Sequence, residues 1–255
     1  MELEKIALIT GSTSGIGRAT AELFAKNGIH LILCGRREDR LEEVKNELQK
    51  NVNVITLKFD VSNRKEVFSA IDNLPEEWKS IDILVNNAGN AHGLATFQDA
   101  SLDDFDSMIN SNVRGILNVS KAVVPFLINR KSGHIVNLSS IAGKQTYPKG
   151  SVYCASKHAV EAISQGMRMD LLPYGIKVTN IAPGAVETEF SLVRFKGDKK
   201  LADAVYQGFE PLVAGDIADA IYYAVSRPAH VQIADMTIFP KAQASGTLFE
   251  KNNKI

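Results

Sequence analysis

The sequence predicts an α/β fold: one Rossmann-type domain with a doubly wound parallel sheet of about seven strands and helices on both faces. Three observations carry this. Short runs rich in Ile, Leu and Val alternate with amphipathic segments along the chain. Several of the runs are apolar at nearly every position, as strands covered on both faces must be. The first run leads straight into a glycine-rich turn and a helix, "TGSTSGIGRATAELF".

Taken in order, "IALIT" opens the sheet, and "HLILC", "NVITLKF", "IDILVN", "HIVNLS", "KVTNIA" and "MTIFP" follow as strands. Between them, Leu41, Val44 and Leu48 recur at helical spacing, as do Val67, Phe68 and Ile71. "SLDD", Ser101 to Asp104, is a capping box that opens a long helix through "FDSMINSNVRGILNVSKAVVPFLI". Repeated strand–helix alternation predicts a parallel sheet with helices on both faces. No Pro/Gly/Ser-rich linker divides the chain, so residues 1–255 are expected to form a single domain. Residues 185 to about 212 break the rhythm, and such a late excursion predicts a flap over the active site.

The composition narrows the function. With 255 residues and 45% hydrophobic content, the chain can build a sizeable core. Lysine plus arginine and aspartate plus glutamate both count 29, a balance that does not favour a nucleic-acid partner. The start "MELEKIALIT" lacks the features of a signal peptide. Runs such as "AVVPFLI" are too short to span a bilayer. Two cysteines, Cys34 and Cys154, suggest neither a disulfide framework nor a zinc motif. A cytoplasmic protein without membrane or metal partners is the expectation.

Gly11, Gly15 and Gly17, with Ser12, Thr13, Ser14 and Ile16, form the turn between the first strand and its helix. Such a turn lets backbone amides approach a pyrophosphate at a helix N-terminus. The spacing is G-x-x-x-G-x-G rather than the generic G-x-G-x-x-G, and a plain turn is the rival reading. The second strand ends at Gly35, Arg36 and Arg37. An acid here would bind the ribose of NAD, whereas an arginine would receive the extra phosphate of NADP. Cations opening a helix oppose its dipole, and a bound phosphate removes that conflict. A solvated arginine pair, or ribose binding by Glu38 or Asp39, stays open at this point.

Tyr153 and Lys157 lie four residues apart and share one helix face. A free tyrosine titrates near 10, and a close cation typically lowers it by one to three units. The pair suits proton transfer to or from an alcohol or carbonyl. Ser139 and Ser140 end the strand "HIVNLSS", in the crevice beyond the strand ends where open α/β folds bind ligands. The Ser140 hydroxyl could hold a substrate oxygen beside Tyr153.

These segments together resemble the short-chain dehydrogenases/reductases. The resemblance covers essentially the whole chain, through "TGSTSGIG", "FDVS", "NNAG", "NSNVRG", "SSIAG", "YCASK" and "PGAVET" in this order. It implies a catalytic set of Asn112, Ser140, Tyr153 and Lys157. Tyr153 would exchange the proton and Ser140 would position the carbonyl. Lys157 would lower the tyrosine pKa and bind the nicotinamide ribose, while Asn112 would hold a water linking Lys157 to solvent. The resemblance also implies that Asp60 and Val61 flank the adenine and that Asn86, Ala88 and Gly89 contact the adenosine-side sugar and backbone. Pro183, Gly184, Val186 and Thr188 would hold the nicotinamide carboxamide. A homotetramer built through helices around 101–130 and 151–174 is implied as well.

"TEFSLVRFKGD", "SRPAHVQIADM" and "IFPKAQASG" resemble the NADP-dependent 3-hydroxy acid dehydrogenase and serine 3-dehydrogenase branch. The implied substrates are L-serine, L-allo-threonine, 3-hydroxypropionate or similar acids. A cation from the flap should hold the substrate carboxylate, Arg194 first and Lys196 second, with Lys144 and Gln145 as rivals. Two other readings remain open: reduction of a different carbonyl, such as a 3-oxoacyl thioester or a ketone, and a non-catalytic NADP-binding regulator.

Overall fold

The computed structural model describes residues 5–251. The charged opening residues 1–4, the first part of the start read for a signal peptide, lie outside the described residues. Alternation begins with β1 (Ile6–Thr10), α1 (Gly15–Lys26), β2 (His30–Gly35), α2 (Glu38–Leu48), β3 (Val54–Lys58), α3 (Arg64–Asp72) and β4 (Ile83–Asn86). It continues through α4 (Leu102–Ile109), α5 (Gly115–Arg130), β5 (Gly133–Leu138), α6 (Ser151–Asp170) and β6 (Ile176–Pro183). The excursion holds β7 (Val186–Glu187), α7 (Glu189–Arg194), α8 (Lys199–Ala204) and β8 (Leu212–Val213). The last elements are α9 (Ala214–Val225) and β9 (Asp235–Ile238).

Seven strands pair in the order β3-β2-β1-β4-β5-β6-β9. All of these pairings are parallel; Ile6 faces His30 on one side of β1 and Ala7 faces Ile83 on the other. The order reverses between β1 and β4, the switch point where open parallel sheets bind ligands at their carboxyl ends.

β1 shows why its run is apolar throughout. Ala7 and Ile9 face a core with Phe24, Leu41, Val44 and Ile221 from α1, α2 and α9. Ile6 and Leu8 face a second core with Val67, Ile71, Val119 and Leu127 from α3 and α5. Each strand side chain therefore contributes to one of two layers, at roughly 1.5–3 kcal/mol for a fully buried Leu or Ile.

Two expectations change. The predicted long helix is interrupted: residues Asn110–Arg114 form a π-helical turn between α4 and α5. Ser101 does cap α4, its hydroxyl accepting from the Asp103 amide at 3.2 Å. The excursion contains two strands that the sequence did not suggest, two residues each and parallel to one another. They are too short for a period-2 pattern.

Candidate active site

A cleft of about 640 Å³ lies beyond the carboxyl ends of the strands. Its floor is the glycine turn. Gly11 adopts a left-handed φ of +66°. A Cβ on Gly17 would stand 2.3 Å from the Gly11 carbonyl oxygen and 2.5 Å from Asn87 Nδ2. Gly17 therefore lets α1 pack against the turn, and it does not line the cleft itself. Ser12, expected among the cofactor contacts, does not line the cleft either. It is buried, and its hydroxyl donates to the Cys34 carbonyl at 3.2 Å, tying the turn to β2. Gly11, Thr13, Ser14, Gly15 and Ile16 do face the cleft.

Arg36 and Arg37 stand at one end of the cleft. Arg37 is the N-cap residue of α2, and its Nη2 donates to the hydroxyls of Thr13 at 2.8 Å and Ser14 at 3.1 Å. Arg36 is 71% exposed and reaches Asp60 at 3.3 Å. The rival acid Glu38 points elsewhere, accepting from Lys58 at 2.8 Å. Asp60, Val61, Ala88 and Gly89 line the adjoining wall.

Asn86 is placed differently from expectation. Its side chain is buried and donates to Ser120 Oγ at 2.9 Å and Asn137 Oδ1 at 2.8 Å. The last residue of β4 turns its side chain toward α5 on one face of the sheet, and the next, Asn87, faces the cleft. Asn87 Nδ2 donates to the Thr10 carbonyl at 2.9 Å and the Gly11 carbonyl at 3.2 Å.

At the other end, Ser140, Tyr153 and Lys157 meet in the cleft wall. Helical spacing on α6 puts Tyr153 and Lys157 on one face, and Ser140, two residues beyond β5, caps the 3-10 turn Ile141–Gly143. The Ser140 hydroxyl accepts from the Ala142 amide at 3.1 Å and lies 3.4 Å from the Pro183 carbonyl. Lys157 Nζ donates to the Leu138 carbonyl at 2.8 Å. Burial pushes Tyr153 well above the ordinary tyrosine value, against an opposing hydrogen bond from Ser140. Burial also brings Lys157 down to about 8, with Glu161 opposing. Burial thus favours the neutral form of both groups, whereas the sequence pointed to a lowering of the tyrosine by Lys157.

Asn112 sits at the centre of the π-helical turn, fully buried. Such turns recur at functional sites. Its Nδ2 donates to the Asn90 carbonyl at 2.8 Å and Ser156 Oγ at 3.0 Å, and its Oδ1 accepts from the Asn90 amide at 2.8 Å. Both side-chain hydrogens are thus committed to protein partners.

The excursion covers the cleft. Pro183, Gly184, Val186 and Thr188 line it on the way, and Thr188 caps α7 by accepting from the Phe190 amide at 3.2 Å. Phe190 packs its ring 5.8 Å from that of Tyr153. The Arg194 guanidinium lies 5.6 Å from the Tyr153 ring centre, donating to the Gly93 carbonyl and the Tyr147 hydroxyl at 3.3 Å each.

The rival cations are engaged elsewhere. Lys144 pairs with Glu161 at 3.1 Å and Asp235 at 2.8 Å, and Lys196 pairs with Asp104 at 3.0 Å. Gln145 lies outside the cleft lining, its carbonyl accepting from the Gly246 amide at 2.9 Å. Sequence reasoning missed Tyr147, Phe190 and Asn87. The first two lie in irregular or very short segments, where no periodicity marks which way a side chain points.

The family model for short chain dehydrogenase matches residues 5–198. A sulfoacetaldehyde reductase of Chromohalobacter salexigens is 46% identical over 243 residues, covering 95% of this chain and 96% of the relative. An NADP-dependent 3-hydroxy acid dehydrogenase of Schizosaccharomyces pombe is 43% identical over 242 residues, covering 94% of this chain and 93% of that one. A solved structure, the closed form of serine dehydrogenase complexed with NADP+, superposes with a TM-score of 0.91. Its sequence is 40% identical, and the match covers 97% of this chain and 100% of that one.

Proposed function

The chain belongs to the short chain dehydrogenase family, and on that premise we propose that it moves a hydride reversibly between NADP and a short 3-hydroxy acid or its 3-oxo partner. The observation that carries the acid is Arg194, a guanidinium held beside the Tyr153 ring by the segment that covers the cleft. A 3-oxo acid places its carboxylate one methylene from the carbonyl. That geometry lets one anion meet Arg194 while the carbonyl oxygen meets Tyr153 and Ser140. A sulfonate at the same spacing fits the same arrangement, and a relative named sulfoacetaldehyde reductase supports it.

The cleft fits the cofactor. Gly11, Thr13, Ser14 and Gly15 would cradle the pyrophosphate beside the N-terminus of α1, and Arg37 with Arg36 would receive the 2′-phosphate. Relatives named NADP-dependent, and a neighbour bound to NADP+, support that choice over NAD. Bound NADP supplies or accepts the hydride.

Tyr153 moves the proton at the substrate oxygen, and Ser140 fixes that oxygen beside it. Because burial raises Tyr153, a positive charge close by is needed to ionise it. Lys157 provides part of this, and oxidised nicotinamide carries a second cation. Arg194 anchors the acid end, and Phe190 keeps water from the Tyr153 ring. Residues 185 to about 212 serve as the substrate flap.

Among the described residues no helix is long and apolar enough to cross a membrane. A cytoplasmic homotetramer accords with this reading. Exposed Leu102 on α4, Leu117 on α5 and Met169 on α6 support contacts through those helices.

The test follows nicotinamide absorbance with L-serine, L-allo-threonine and 3-hydroxypropionate under NADP, and with malonic semialdehyde and sulfoacetaldehyde under NADPH. NAD and NADH run in parallel, with Tyr153→Phe as control. Turnover of anionic substrates with the phosphorylated cofactor, lost in the variant, is expected. Turnover confined to uncharged ketones or thioesters would overturn the acid assignment.

A further inference from the structure

Glu189 opens α7, and its carboxylate lies between two arginines of the cofactor side. Arg40 Nη1 donates to both carboxylate oxygens, at 2.9 and 3.1 Å, while Arg37 Nη1 reaches one of them at 3.4 Å. Arg37 and Glu189 face the cleft, whereas Arg40 stands outside it. The carboxylate is therefore gripped firmly by an outer guanidinium and loosely by an inner one. The inner one also holds the glycine turn through Thr13 and Ser14.

The far end of the same short helix is fastened too. The Gly93 amide donates to the Arg194 carbonyl at 2.9 Å, and Lys196 pairs with Asp104 at 3.0 Å. α7 thus bridges the cleft from the arginines at one end to Tyr153 at the other. It carries Phe190 and Arg194 on the way.

We propose that Glu189 is a positioning residue that couples the two ends of the cleft: Arg40 moors the flap through Glu189, and Glu189 competes with the 2′-phosphate of NADP for Arg37. The proposal rests on the NADP reading above. A phosphate at Arg37 would stand beside the Glu189 carboxylate, and the two anions would contest one guanidinium. The tighter grip of Arg40 keeps Glu189, and with it α7, in place when Arg37 turns to the phosphate. Neutralising Glu189 should therefore act with opposite signs at the two ends. The phosphate would gain Arg37 free of a neighbouring carboxylate. The flap would lose its mooring, and Phe190 and Arg194 their fixed position at Tyr153. A residue that only supported the fold would weaken both ends together.

The test uses the full chain as wild type, Glu189→Gln and Arg40→Gln. NADPH and NADH affinities are measured by calorimetry, and KM for an anionic substrate by steady-state kinetics. Tryptic cleavage after Arg194, Lys196, Lys199 or Lys200 is timed without cofactor. Partly exposed ion pairs suggest effects of about twofold to fivefold. Glu189→Gln should bind NADPH more tightly by that factor, leave NADH unchanged, raise KM for the acid and be cut faster in the flap. Arg40→Gln should reproduce the KM and cleavage changes. It also keeps the mooring testable should Glu189→Gln fold poorly. Weaker NADPH binding by Glu189→Gln, or flap cleavage at the wild-type rate in both variants, would overturn the proposal. Wild-type protein that neither binds NADPH nor turns over an anionic carbonyl would instead overturn the functional reading. The cleavage rates, which need no cofactor, would still report the mooring.

Discussion

The guanidinium of Arg194 and the ring of Tyr153 lie together where the flap meets α6, 5.6 Å from carbon to ring centre. A cation from a segment with no strand or long-helix pattern is thereby fixed beside the proposed proton-transfer group. Its hydrogen bonds to Gly93 and Tyr147 are each 3.3 Å, long enough to be exchanged for an anionic ligand.

Arg194→Ala should therefore separate acids from neutral substrates. A charge-assisted hydrogen bond contributes about 1.5–3 kcal/mol, equivalent to about 10- to 100-fold in KM for a hydroxy or oxo acid. An uncharged carbonyl of similar size should lose far less. Steady-state kinetics on the two substrates decides it, and equal losses on both would mean that Arg194 acts by holding the flap rather than the anion.

Arg37 and Arg36 should contribute unequally to cofactor choice. Arg37 is braced by Thr13 and Ser14, whereas Arg36 is 71% exposed and, among the described residues, its side chain pairs with Asp60 alone, at 3.3 Å. A braced guanidinium loses less freedom on binding phosphate. Arg37→Ala should raise KM for NADP by about 10-fold or more, and Arg36→Ala by clearly less. Neither should change KM for NAD appreciably. A larger penalty from Arg36→Ala would reverse the assignment.

Much of this architecture was readable from the sequence because it follows from period and punctuation. The strands are apolar on both faces, so their runs stand out, and Tyr153 and Lys157 share a face by helical arithmetic alone. Ser12, Gly17 and Asn86 show where such reading stops. Each belongs to a motif that borders the cleft, yet each side chain, or its absence, serves packing behind the wall. Direction within a turn depends on backbone angles that residue types do not fix. Glu189, Phe190 and Tyr147 were silent for the related reason that their partners lie far away in the chain: Glu189 meets Arg37 and Arg40 about 150 positions upstream.

His134 should make the fold acid-sensitive. The Thr179 hydroxyl gives its hydrogen to the Ile233 carbonyl at 2.6 Å, so it must accept from His134 Nε2, 2.7 Å away. The ring is then neutral with hydrogen on Nε2, and its buried Nδ1 has no partner among the described residues. Burial, with Lys177 and Lys5 adding to it, brings the His134 pKa down to about 3. The unfolded chain takes up this proton near 6.5 and the folded one does not. The stability contribution is thus full above about pH 6.5 and is lost progressively as pH falls toward 3. By pH 5 the loss is about 2 kcal/mol. Urea titrations at pH 7 and 5 should show a smaller drop in His134→Gln than in wild type, and equal drops would exclude His134 as the cause.

Gly89 tests whether the buried network around Asn112 serves the reaction. A Cβ at Gly89 would stand 2.9 Å from Asn112 Oδ1 and 3.5 Å from Lys157 Nζ. Asn112 cannot withdraw cheaply, because Asn90 and Ser156 hold both of its amide hydrogens and its oxygen accepts from the Asn90 amide. Displacing it would break at least one buried hydrogen bond, at about 1–3 kcal/mol. Gly89→Ala should accordingly lower Tm by several degrees, since each kcal/mol shifts a domain of this size by about 2–4 °C. If Asn112 and Lys157 act together in proton transfer, kcat should fall by about 10-fold or more, with NADPH affinity reduced much less. A lowered Tm with unchanged kcat would leave Asn112 as a packing residue of the π-helical turn and remove it from the catalytic set.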